Sequence, residues 1–160
     1  MDFEQADLEW LRKSFSVAAQ ARKHGNHPFG AVLVGPKSEF LLEAENTVLT
    51  GNDITEHAEI NLVRMALSDY DPSSLALCTL YASTEPCPMC AGAIFWSGIG
   101  RVVYGVSERG LYHLVGEDSE EVLQLPCREV LSHGARPVEV IGPLLEEEGL
   151  QVHEGFWGIE

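Results

Sequence analysis

Basic residues are scarce in this chain. Ten Lys and Arg stand against 25 Asp and Glu, for a formal net charge of -15. Such a surface repels a phosphate backbone unless its few cations cluster. They do not: only Arg12-Lys13 and Arg22-Lys23 are adjacent, and residues 151–160 hold no Lys or Arg. Nucleic acid is therefore not an expected partner. Long apolar runs are missing too. None approaches the ~20 residues that span a bilayer, so no membrane partner is expected. Met1-Asp2-Phe3-Glu4 offers neither a basic nor an apolar leader segment, which argues against a signal peptide and makes the cytoplasm the expected location. In a cytosolic chain, four cysteines do not read as a disulfide framework. Cys78 and Cys127 stand isolated and read as small buried hydrophobes. Repeats, low-complexity tracts and linkers are also lacking, so the 160 residues are expected to form one domain over 1–160.

What is present is a regular alternation of elements. Leu8, Leu11, Phe15, Ala18 and Arg22 follow helical spacing and predict a helix over 7–24, stopped by Gly25. Residues 29–34 read as a buried strand and 39–46 as its hairpin partner. A polar loop over 50–53 leads to a helix over 55–68, with Asp53 or Thr55 as the expected cap. A turn at 71–74 precedes a central strand over 77–83. A helix over 88–97, with Pro88 at its start, and a strand over 101–106 follow. Residues 111–125 fit no single pattern. A short helix over 126–133, a strand over 137–141 and a last helix over 144–156 complete the chain. Strands alternating with helices predict an α/β fold, with a mixed or parallel sheet covered on both faces.

Two short segments carry the chemistry: His57-Ala58-Glu59 and Pro86-Cys87-Pro88-Met89-Cys90. Together they offer one imidazole, two thiols and a spare carboxylate, the donor set of a catalytic zinc site with three protein ligands. At the start of a helix, three-residue spacing puts both sulfurs of Cys87 and Cys90 on one side of the first turn. The positive end of the helix favours thiolate there. Glu59, two residues past His57, reaches the same point only from a first turn aimed end-on at the metal. It then serves as a proton shuttle between activated water and departing amine rather than as a ligand. Other readings remain open. A structural four-ligand site would recruit His24, His27, His113, His133, His153, Cys78 or Cys127. A redox C-x-x-C leaves His57 and Glu59 unexplained.

Phe29-Gly30-Ala31-Val32, Asn46, His57-Ala58-Glu59 and the run from Glu85 to Ile94 resemble the cytidine-deaminase-like superfamily. The likeness is greatest to its branch of guanine, cytosine and tRNA adenosine deaminases and covers residues 7–118. It implies a three-layer α/β/α sandwich around a five-stranded mixed sheet, and a homodimer or larger assembly. It also implies one zinc per chain on His57, Cys87 and Cys90, with Glu59 as general acid and base. Asn46 would bond the base edge, the Ala58 N–H a substrate carbonyl, and Phe29 would pack on the ring, with Glu85 among the substrate-binding residues. Likeness to guanine deaminases assigns Asp118, beside Glu117, to a second proton shuttle, although 117–121 taken alone reads as a solvated acidic face. The tail over 144–160 ends in Phe156-Trp157-Gly158 and is similar to the pocket-closing tail of yeast-type cytosine deaminases. Those two aromatics either close a lid over the substrate or pack on the body of the domain or on a partner subunit. The resemblance implies hydrolytic deamination of a free base or nucleoside with release of ammonia, a guanine-like purine first and cytosine second. Ala91-Gly92-Ala93-Ile94 and the run from Ile99 to Gly105 are similar to tRNA adenosine deaminases, the alternative, which the acidic charge opposes. A non-catalytic zinc-stabilised interaction domain is the rival of another class.

Overall fold

A computed structural model describes residues 3–158 of the chain. The elements run α1 (Gln5–Lys23), β1 (Gly30–Val34), β2 (Phe40–Glu45), α2 (Val48–Gly51), α3 (Ala58–Asp69), α4 (Pro72–Leu75) and β3 (Thr79–Thr84). Then come α5 (Pro88–Ser97), β4 (Arg101–Val106), α6 (Glu108–Val115), α7 (Cys127–Ser132), β5 (Glu139–Ile141), α8 (Glu146–Leu150) and a 3-10 turn over Gln151–His153. The sheet order is β2-β1-β3-β4-β5. β1 is antiparallel to both neighbours, while β3, β4 and β5 are parallel.

The sheet is a true middle layer. Every residue of β1 is buried, and successive side chains take opposite faces. Ala31 and Leu33 join Leu62 of α3, Ile94 of α5 and Leu131 of α7 on one side. Val32 and Val34 join Leu11 and Phe15 of α1 on the other. This is the expected three-layer sandwich with five mixed strands. The α1 layer sits very close: a Cβ placed on Gly30 would lie 2.6 Å from both the Ala18 nitrogen and the Ser14 carbonyl oxygen. A partly buried ion pair ties the layer to the sheet. Asp7 accepts from Arg101 at 2.7 and 2.9 Å and from the Tyr81 hydroxyl at 2.7 Å. Burial opposes its ionisation, but these donors and the Glu4 N–H hold the Asp7 carboxyl below its usual range.

Several expectations change, and the short helices α2 (Val48–Gly51) and α4 (Pro72–Leu75) overlap the expected loop over 50–53 and turn over 71–74. The second long helix begins at Ala58, not near 55, because Asp53 is spent on a local turn, accepting from the Thr55 N–H and hydroxyl. Part of 111–125 is helical, since α6 runs from Glu108 to Val115 before the chain turns irregular. The last helix is broken rather than continuous over 144–156. Leu145 takes a left-handed conformation, φ 54°, ahead of the short α8, and after the 3-10 turn the chain closes in turns.

Candidate active site

The parallel strands β3 and β4 end level, with Thr84 opposite Val106. Ligand sites in such sheets gather at these carboxyl ends. The chain leaving β3 turns through Glu85-Pro86 into α5, whose N-cap is Cys87. α3 starts beside it, with His57 as its N-cap. Neither N-cap side chain bonds its own helix; both face each other instead. His57 Nδ1 lies 3.6 Å from Cys87 Sγ and 3.5 Å from Cys90 Sγ, and all three donor atoms fall within 4.8 Å of one another. Tetrahedral coordination with Zn–S about 2.3 Å and Zn–N about 2.0–2.1 Å sets nitrogen and sulfur about 3.5–3.6 Å apart. The donors therefore fit zinc in both type and spacing. Hydrogen bonds from Cys90 and His57 hold the Cys87 thiol down to about 4, a thiolate at neutral pH, while Cys90 is pushed up as its partner. Among the described residues no other His or Cys joins the group, which is the three-ligand pattern of a catalytic rather than a structural site.

Glu59 follows on the first turn of α3, 7% exposed, with Oε2 3.6 Å from Cys90 Sγ. Burial pushes its carboxyl up to about 7, against the opposing pull of His57. A carboxyl that exchanges its proton near neutral pH is suited to general acid–base work.

A cavity of about 580 Å³ opens beside these groups. His57, Glu59 and Cys87 form one wall. Phe29, Met89, Leu111, Tyr112, Val115 and Trp157 supply most of the apolar lining. Ala58 is fully buried at the first position of α3, where backbone N–H groups have no helical acceptor. Asn46 is buried, and its Oδ1 accepts from the Val48 N–H at 3.0 Å. Glu85 lines the cavity, but both oxygens are taken: Oε1 accepts from the Cys127 N–H at 3.0 Å and Oε2 from the Glu108 N–H at 2.9 Å. Its carboxylate thus pins the starts of α6 and α7.

Asp118 is not brought to the cavity. It is exposed outside the lining, and Glu117 pairs with His113 at 2.9 Å. The acidic groups that do line it are Glu108, Glu120 and Glu121, none singled out by the sequence. Burial and the neighbouring Glu85 push the Glu108 carboxyl up to about 7. The tail reaches the cavity through one aromatic, not two. Trp157 lines it, stacked 5.6 Å from the His27 ring. Its indole N–H donates to His153 Nδ1 at 3.1 Å. Phe156 is set back under Arg22, whose guanidinium lies 5.5 Å from the ring centroid and donates to the Val152 and Glu154 carbonyls at 2.9 and 2.7 Å.

Similarity to known proteins agrees with this arrangement. Residues 4–106 match the model of the cytidine and deoxycytidylate deaminase zinc-binding region. A probable cytosine deaminase of Schizosaccharomyces pombe is 41% identical over 98% of this chain and 95% of its own length. A guanine deaminase of Bacillus subtilis is 40% identical over 59% of this chain and 61% of its own. The solved guanine deaminase of Nitrosomonas europaea, 22% identical, shares the fold with a TM-score of 0.76 over 94% of this chain and 84% of that one. The chain therefore belongs to the cytidine and deoxycytidylate deaminase zinc-binding family, and is a hydrolase of C–N bonds.

Proposed function

We propose that this chain replaces the exocyclic amine of a free nucleobase or nucleoside by a carbonyl oxygen and releases ammonia. One observation carries the reading: a buried carboxyl poised near neutral pH, Glu59, stands beside a three-donor metal set at the end of a mostly apolar cavity. Zinc held by His57, Cys87 and Cys90 would supply the Lewis acidity that makes water nucleophilic near neutral pH. Glu59 takes a proton from the attacking water and passes it to the ring nitrogen beside the attacked carbon. It then takes the remaining proton of the added hydroxyl, which becomes the carbonyl oxygen, and delivers it to the amine as that group leaves as ammonia. Phe29 and Trp157, whose rings lie 6.1 Å apart, pack side by side against the base and exclude water. In this reading the first-turn N–H of Ala58 donates to a substrate carbonyl, and the Asn46 amide reads the base edge.

Cytosine becomes the first substrate and a guanine-like purine the second, reversing the order drawn from local motifs. Support for the change is that similarity to the cytosine deaminase runs through the tail, whereas the guanine deaminase match spans 96 residues. The test is ammonia release by zinc-loaded protein from cytosine, cytidine, guanine, guanosine, adenine and adenosine, with Glu59→Gln as blank. Turnover absent from the blank supports the reading. Release of ammonia by Glu59→Gln at the wild-type rate would overturn the role given to that residue, and silence across the panel would favour the non-catalytic alternative.

A further inference from the structure

The cavity holds one carboxyl that the metal end does not use. Of its five lining glutamates, Glu59 stands beside the metal donors and Glu85 is saturated by two backbone N–H groups. Glu120 and Glu121 are exposed. Glu108 is different: it is 6% exposed, yet its carboxyl meets only the Tyr112 hydroxyl at 3.4 Å and the Leu125 N–H. On the same lining, Thr84 Oγ1 is buried with no hydrogen-bond partner. Buried polar groups are normally satisfied, and exceptions call for an explanation such as a missing ligand. Among the described residues, no Lys or Arg lines this cavity, so nothing there would neutralise a phosphate. Size alone does not select, since about 580 Å³ lies within the range that holds ligands larger than a base.

We propose that Glu108 is a specificity-determining residue: with Thr84 it takes a ring N–H edge of the substrate, and with Glu120 and Glu121 it turns phosphorylated substrates away. The inference rests on the deaminase reading and narrows it. An amino-oxo heterocycle offers two kinds of donor, the exocyclic amine and its ring N–H groups. The amine goes to Glu59. In cytosine the single ring N–H is the position that carries the sugar in cytidine. Glu108 thus separates free base from nucleoside by hydrogen bonding, and the acidic set separates nucleotide from both by charge.

The test measures ammonia release and calorimetric binding for cytosine, cytidine and cytidine 5′-monophosphate, and for guanine, guanosine and guanosine 5′-monophosphate. The proteins are zinc-loaded wild type, Glu108→Leu, Glu108→Gln and the exposed double variant Glu120→Gln/Glu121→Gln, with Glu59→Gln for binding without turnover. Free bases are expected to lead and nucleotides to trail by about a hundredfold or more. Loss of a hydrogen bond to a charged group predicts that Glu108→Leu raises KM for the favoured base about ten- to hundredfold. It should change kcat less and narrow the base-to-nucleoside ratio, with Glu108→Gln intermediate. The double variant should narrow the nucleotide gap alone. A merely structural role would weaken all substrates alike, and zinc content and melting temperature report the fold. If Glu108→Leu melts early, Glu108→Gln and the double variant decide. Nucleotides handled as well as free bases, or a ratio that Glu108 variants leave unchanged, would sink the proposal while deamination stands. Bases bound in a Glu108-dependent way without ammonia release would support the recognition and remove the deaminase reading. Binding of none would overturn both.

Discussion

One wall of the cavity is set by His57, Glu59 and Cys87 at the starts of two helices, α3 and α5, packed against the sheet. The facing wall is set by the short α6, the irregular stretch through Leu123, and Trp157 in a tail without long helices. The first wall is rigid because its backbone is fixed by regular elements and its side chains by each other. The second is fixed by a few long-range clasps. Ser107 N–H donates to Glu146 Oε1 at 2.9 Å, and Arg22 holds two tail carbonyls. Chemistry that needs donor spacing within tenths of an ångström sits on the first. Selection and access sit on the second, where small loop changes leave the metal donors in place.

If that division holds, variants of the two walls will fail in different ways. The largest effect is expected from Cys90→Ser, which removes one of three donors: zinc content falls and ammonia release drops to the blank, read by metal analysis beside the assay. Glu59→Gln comes next, with kcat lower by about 10²–10⁴-fold and zinc retained. Zinc lost from Glu59→Gln would break the division, because Glu59 would then act as a ligand.

The tail should show itself in pH. Burial, with help from Arg22, holds His153 down to about 4, and its Nε2 is buried without a partner. An unfolded histidine titrates near ~6.5, so the folded state binds fewer protons between these values. Stability from this site is complete above about pH 6.5 and is lost as pH falls toward 4. The loss is at most about 3 kcal/mol. Melting temperature against pH should fall in that window, and His153→Gln should flatten the slope. A slope unchanged in His153→Gln would place the acid sensitivity elsewhere. The smallest effect is expected from Trp157→Ala, a rise in KM of roughly tenfold, about 1.4 kcal/mol, with kcat nearly unchanged. A large fall in kcat would show that the second wall also positions the reacting atoms.

The same division governs what the sequence reveals. Residues 88–97 and 101–106 match α5 and β4 at both ends, because Pro88 starts the helix and Gly98, with φ 95°, stops it. The metal donors are legible because their types and spacing are local. Beyond residue 106 local signals mislead. Ser107-Glu108-Arg109-Gly110 matches no expected element, yet Glu108 is buried, with the Tyr112 hydroxyl and the Leu125 N–H at its carboxyl. The acidic run over 117–121 is legible as acidic, yet its order gives no sign that Glu120 and Glu121, rather than Asp118, line the cavity. A signal for Thr84 exists only in its position, last in a buried strand with no polar neighbour across the sheet.

The narrow gap at Gly30 has a consequence for sequence variation. Any side chain there drives α1 off the sheet, since its first atom already meets the helix backbone at 2.6 Å, and backbone does not yield as a side-chain tip does. Gly30 also follows Phe29, whose ring lines the cavity. In a saturation-mutagenesis survey selected for activity, position 30 would be as intolerant as the cysteines although it performs no chemistry. The exposed acidic residues of 117–121 would accept almost any change that keeps the fold. A map of tolerated substitutions would therefore mark the spacing between helix and sheet as sharply as it marks the metal.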